Sequence, residues 1–97
     1  MEADPYIFVE TAAQHDRGGA TLDIIREGVD YRRKVSLTDA ELDGGLKRLK
    51  SANLIRLRRA RYFVADSIVP SLPRTASGQL SFRRQEWDRL RMHLFES

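Results

Sequence analysis

Ser36-Leu37-Thr38-Asp39-Ala40-Glu41-Leu42, followed by Leu46 and Leu49 and closed by Ala52-Asn53-Leu54-Ile55, is the stretch that decides the fold. Thr38 and Glu41 stand at the spacing of a capping box. The threonine oxygen accepts from the Glu41 backbone N–H, and the glutamate carboxylate reaches back to the N–H of Thr38. Leu37 and Leu42 flank the box as a hydrophobic staple. Leu42, Leu46 and Leu49 then fall at i, i+4 and i+7, so one apolar face runs along a helix that ends near Asn53. Replacing Thr38 should cost about 1 kcal/mol. At about 100° per residue, turning the leucines inward leaves Ala40, Gly44, Lys47, Arg48 and Ser51 outward, with Glu41 at the edge.

Working downstream, Leu54 to Ala65 is rich in β-branched and aromatic residues and predicts two short strands around a tight turn near Arg59-Ala60. The turn lacks the Asn-Gly or Asp-Gly pair that such loops favour. Alternation puts Arg56 and Arg58 on one face of the first strand, opposite Ile55 and Leu57. With Arg59 and Arg61, four arginines lie within six residues. They suit phosphate contacts, and they equally suit a charged edge that blocks strand-to-strand pairing. If all four neutralised phosphates, the log–log salt slope of binding would be about −3 to −4. Residues 67–80, with Pro70, Pro73 and Gly78, predict a connecting segment without period. A last helix is expected from about Ser81 to Phe95, with Trp87, Leu90 and Leu94 as its apolar stripe, widened by Met92 and Phe95. That stripe can pack on the domain or on the same helix of a second chain; a homodimer is the expectation for the helix as a whole.

Working upstream, Thr21 predicts the cap of a helix that carries Leu22, Ile25 and Val29 on one face, with Ile24 adjoining. Arg32-Arg33-Lys34 fall at the negative end of its dipole. They serve that end, or a DNA backbone. Asp4-Pro5 predicts a helix start with Asp4 as the cap. Tyr6-Ile7-Phe8-Val9 has strand propensity, but Phe8/Ala12 and Val9/Ala13 at i,i+4 favour a helix over about residues 5–15, ended by Gly18-Gly19.

The order helix, helix, capped helix, hairpin resembles a winged helix-turn-helix domain. Residues 36–55 carry most of the likeness, and Tyr62-Phe63-Val64-Ala65-Asp66 resembles its second wing strand. Asn53 stands where the family pattern has Gly, a mild departure because Asn tolerates the left-handed conformation. The resemblance implies a mainly α, α+β fold: a three-helix core, a two-stranded wing and an appended C-terminal helix. It divides the chain into a winged-helix domain over 1–66, a connector over 67–80 and a C-terminal helix over 81–97. It further implies a DNA-binding transcriptional regulator that reads duplex DNA with Ala40, Gly44, Lys47, Arg48 and Ser51 and holds its backbone with Arg56, Arg58, Arg59 and Arg61. Trp87, Leu90 and Leu94 would be the dimer contact. Asp39, Glu41 and Asp43 oppose this, since carboxylates near phosphates repel. The alternative is a winged-helix module that docks on a protein without binding DNA.

Composition narrows the field further. The 97 residues suit one domain, and 41% hydrophobic with 32% charged residues is an ordinary globular balance. Net charge is only +3, but all but three of the 17 basic residues are Arg, the cation suited to bidentate phosphate or carboxylate contacts. An Arg-favouring genome would give the same bias. With no cysteine there is neither a disulfide framework nor a thiolate metal site. Met1–Pro5 lacks the features of a signal peptide and no apolar run is long enough to span a membrane, so a cytoplasmic protein is expected. His15 and His93 have no companions at ligand spacing, and Gly18-Gly19 and Gly44-Gly45 lack the frame of a phosphate-binding loop. No enzyme, metal or cofactor is therefore expected.

Overall fold

The computed structural model describes residues 3–96. Met1, Glu2 and Ser97, the ends of the expected first and last segments, lie outside the described residues. The chain is an α+β protein with helices α1 (Asp4–Ala13), α2 (Leu22–Arg33), α3 (Asp39–Ser51) and α4 (Arg84–Phe95). One antiparallel hairpin, β1 (Ile55–Arg58) and β2 (Arg61–Val64), stands between α3 and α4.

α3 has the two ends that its sequence predicts. Thr38 Oγ1 accepts from the Glu41 N–H at 3.1 Å, and Glu41 Oε1 accepts from the Thr38 N–H at 3.0 Å. At the other end Asn53 takes φ +59°. The Asn53 N–H then reaches Lys50 O and the Leu54 N–H reaches Leu49 O, both at 2.9 Å. This is a Schellman closure, and it brings Leu54 onto Leu49 in the buried cluster. The helix end thereby sets the direction in which β1 leaves. Leu42, Leu46 and Leu49 are each only 2% exposed.

The hairpin turns on Arg59 and Ala60, both with positive φ (51° and 63°). Positive φ at both central residues of a two-residue loop is the type I′ geometry, which matches the strands' right-handed twist. Ile55 faces Val64 and both are buried at the hairpin base. Leu57 faces Tyr62 but remains 45% exposed, because the distal half of the hairpin extends past the core. Sequence reading did not anticipate a third partner: Ala20 exchanges two 2.8 Å backbone hydrogen bonds with Tyr62, so β2 is paired on both edges at that point.

α1 is displaced from its predicted position. Ala3 is the N-cap and Asp4 the first helical residue, without a side-chain capping bond. The helix stops at Ala13, a short 3₁₀ turn covers His15–Arg17, and the chain reverses at Gly18 and Gly19 with φ near +90°. α2 starts as expected, with Thr21 Oγ1 accepting from the Ile24 N–H. Ile25 and Val29 are buried, but Leu22 is 47% exposed on the first turn, outside the inward face. α4 begins three residues later than predicted, since Ser81 uses its carbonyl to accept from the Trp87 indole N–H at 2.6 Å.

One cluster gathers side chains from all four helices and the hairpin, and Leu72 of the connecting segment joins it. Core membership thus crosses the divisions expected at 66 and 80. The cluster depends on close helix approaches at two glycines. A Cβ on Gly45 would lie 2.5 Å from Ile7 Cδ1 of α1, and one on Gly28 would lie 2.1 Å from Glu10 Oε1. Gly44, its neighbour, would meet only the guanidinium of Arg48 at 3.2 Å. The two adjacent glycines should therefore respond in opposite directions. Gly45→Ala should destabilise by about 1–3 kcal/mol through overpacking. Gly44→Ala should stabilise by up to about 1 kcal/mol through helix propensity. Urea denaturation of both variants checks this; equal effects would show that α1 does not approach α3 as described.

Candidate functional site

The outward face of α3 is as exposed as its pattern requires, but its cations are engaged. Ala40, Lys47, Arg48 and Ser51 are exposed and Gly44 is half-buried. Lys47 Nζ lies 3.0 Å from Asp43 one turn earlier, both side chains well exposed. Arg48 makes a bidentate contact with Asp4 of α1, Nε to Oδ2 at 2.7 Å and Nη2 to Oδ1 at 3.0 Å. Asp4 is 5% exposed, so the pair is anchored on its buried side. The residue expected to cap α1 thus ties α1 to α3 instead. Arg48, expected as a base contact, is thus paired with Asp4 and tethers α3 to α1. Of the three carboxylates expected to repel phosphate, Glu41 closes the capping box, Asp43 holds Lys47 and Asp39 is bound by Arg26 of α2. Lys50, which the sequence reading passed over, is exposed on α3 and has no ion pair among the described residues.

The hairpin arginines divide into one and three. Arg56 is withdrawn: its guanidinium sits 4.9 Å from the centroid of Phe63, its cross-strand partner, and its Nε is 3.4 Å from Asp66. Arg58, Arg59 and Arg61 surround the turn, all exposed, with no carboxylate partner among the described residues. Arg58 and Arg61 face each other directly across the strands, an arrangement of like charge that costs stability. The hairpin borders the α3 face at Tyr62, whose pKa is raised by burial and then by the charge of Asp43.

His15 fixes the hairpin base. Its Nδ1 accepts from the Val64 N–H at 3.1 Å, and its ring meets Phe63 edge-on at 5.7 Å. An accepting Nδ1 requires the proton on Nε2 and a neutral ring. Burial lowers the His15 pKa, and the smaller effects of Asp16, Arg56, Arg74 and Asp66 around it partly cancel.

Trp87 and Leu90 are 9% and 7% exposed within their own chain's core, and Leu94 packs against it. Phe95 also turns inward, edge-on to Phe8 at 5.9 Å. Of the stripe expected as a dimer contact, Trp87 and Leu90 are thus buried within the chain, Leu94 is half-buried, and Met92 beside them is 56% exposed. Between α1, the last turn of α2 and α4 lies a cleft of about 760 Å³, bordered by Tyr6, Phe82 and Trp87 and by several arginines. Arg33 of the expected basic turn stacks over Tyr6 at 4.6 Å, and Arg32 binds the buried Glu10 at 2.6 Å. Burial pushes the Glu10 carboxyl up, against the opposing pull of Arg32 and Arg33.

Among the described residues no group of three His, Asp or Glu side chains is placed to hold a metal ion, and no helix is long and apolar enough to cross a membrane. No protein-family model, no curated protein and no solved structure matches the chain.

Two outcomes follow from these contacts. Arg48→Ala should lower the urea midpoint clearly more than Lys47→Ala, since only the former removes a guanidinium from a buried carboxylate. Equal midpoints would contradict the tether. Because the fold holds His15 below its ordinary 6.5, the unfolded chain takes up the proton first as pH falls. The stability tied to the neutral ring is complete above about pH 6.5 and is lost as pH falls through the folded-state value. His15→Asn, whose Oδ1 can replace Nδ1 as acceptor, should flatten the decline measured between about pH 7 and about pH 5. An unchanged slope would show that the imidazole does not titrate against the hairpin.

Proposed function

We propose that the chain is a winged-helix domain that binds duplex DNA chiefly through its hairpin and acts as a transcriptional regulator. The order of three helices and a hairpin supports the winged-helix reading, as does the Ala20–Tyr62 bridge, which pairs one residue of the α1–α2 loop with the wing. The observation that carries the functional reading is the hairpin tip: Arg58, Arg59 and Arg61 are exposed, crowded, and without carboxylate partners among the described residues. The turn holds Arg59 and Ala60 at positive φ, where Asn-Gly would be less strained by roughly 1–2 kcal/mol per residue. A sequence that keeps both the strain and the repulsion favours a counter-charge outside the chain.

Phosphate contact dominates on this reading, and base reading is secondary. Lys47 can exchange Asp43 for a base or phosphate at little cost because that pair is exposed. Ala40, Gly44 and Ser51 allow close approach, and Lys50 adds a cation. Arg48 stays with Asp4. The domain thus binds DNA with modest sequence preference.

The second reading, a protein-docking winged helix, draws on two observations. The cations of α3 are largely matched within the chain, and α2 presents exposed Asp23, Glu27 and Asp30 at i, i+4 and i+7. A phosphate backbone near that row would be repelled.

Anisotropy titration of a labelled random duplex at several salt concentrations separates the two. Three arginine–phosphate contacts predict a log–log slope of about −2.7, or roughly 40-fold weakening from ~50 to ~200 mM salt. Arg58→Ala with Arg59→Ala should reduce the slope by about 1.8. Folded protein without duplex binding at the lower salt would remove the DNA reading and leave the protein-docking one.

A further inference from the structure

The cleft between α1, the end of α2 and α4 is a concavity of ligand size away from the hairpin, and its charge is unbalanced. Arg17, Arg32, Arg33, Arg84 and Arg91 line it against two carboxylates, Glu10 and Asp88. Glu10 is taken by Arg32, while Asp88 is shared loosely by Arg84 and Arg91 at 3.9 and 3.7 Å. Arg17 and Arg33 have no carboxylate partner among the described residues. Arg91 also reaches Glu96 at 3.9 Å, and the two positive charges left in excess around one concavity are a cost that an anion would relieve.

The same cleft offers aromatic faces. Phe82 is 65% exposed and stacks on Trp87 with planes 13° apart and centroids 6.2 Å apart. Tyr6 lines the α1 side under the Arg33 guanidinium. A large ring left this exposed gains most from a flat apolar partner laid against it. The volume of about 760 Å³ lies within the span of small-molecule sites.

We infer that this cleft binds a small molecule with a planar ring and an anionic group, the ring against Phe82 and Tyr6 and the anion against Arg33, Arg84 and Arg17. The anion is a carboxylate or a phosphate monoester, both of which accept paired N–H donors from arginine. The site is independent of the hairpin and of whether the hairpin meets DNA.

Calorimetric titration of the whole chain with naphthoate and, separately, adenosine monophosphate tests this. Naphthalene methanol, which lacks the charge, and inorganic phosphate, which lacks the ring, are the controls. Saturable binding of either ring-bearing anion, at least about tenfold tighter than both controls, is expected, and which of the two binds identifies the anionic group. Trp87 is the single tryptophan, so its indole N–H resonance should shift during the same titration. Arg33→Gln with Arg84→Gln should weaken binding about tenfold; Arg84 is 94% exposed, and circular dichroism checks that the variant folds. Phe82→Ala should weaken it as well. No binding of either anion, equal binding of a control, or unaltered affinity in the folded arginine variant would overturn the assignment.

Discussion

The close seating of α3 on α1 is the constraint on which the rest depends. It exists because Gly45 has no side chain where Ile7 enters, and it is locked at the rim by the Arg48 guanidinium on buried Asp4. Once α3 is seated, its leucine row closes the core and its Schellman end points the chain into β1. The hairpin base then rests on the same core through Ile55 and Val64, and His15 and Ala20 hold it from the α1–α2 loop. Loosening the seat would move every exposed charge on α3 and the hairpin.

The parts of the fold legible in the sequence were those fixed by local chemistry. The Thr38–Glu41 box, the leucine spacing, the left-handed Asn53 and the turn at Arg59-Ala60 all act over a few residues, so spacing alone exposes them. The displaced α1 start, the Ala20 bridge and the Arg48–Asp4 tether join residues far apart in the chain, and no local pattern announces them. Asp4 shows the difference well. Before Pro5 it has the right chemistry for a cap, yet the pull of a guanidinium 44 positions away decides where its carboxylate goes. Among the candidate site residues, exposure was readable and availability was not. Arg48 is exposed and Arg56 half-buried, and both are held by their own chain. The stripe of Trp87, Leu90 and Leu94 was visible as apolar, but a periodic stripe does not say whether its cover is the same chain or another.

The arginines differ by partner more than by position. Tethered arginines bind the elements together: Arg48 joins α3 to α1, Arg32 joins α2 to α1 and Arg74 reaches Asp16 at 2.8 Å. Of those without a carboxylate partner among the described residues, Arg58, Arg59 and Arg61 sit at the hairpin tip and Arg17 and Arg33 in the α1–α4 cleft, while Arg83 and Arg89 lie elsewhere on the surface. A net charge of only +3 conceals this, because the acidic residues are spent on the tethers and on the α2 row.

The central claim is that the hairpin tip supplies the contacts with a large anionic partner while Arg48 remains with Asp4. Nitrogen-labelled protein titrated with a short duplex, observed at the arginine side-chain resonances, tests it most directly. The account predicts that the signals of Arg58, Arg59 and Arg61 move together while that of Arg48 stays in place. Movement of Arg48 as large as theirs, or a hairpin that does not respond at all, would contradict it.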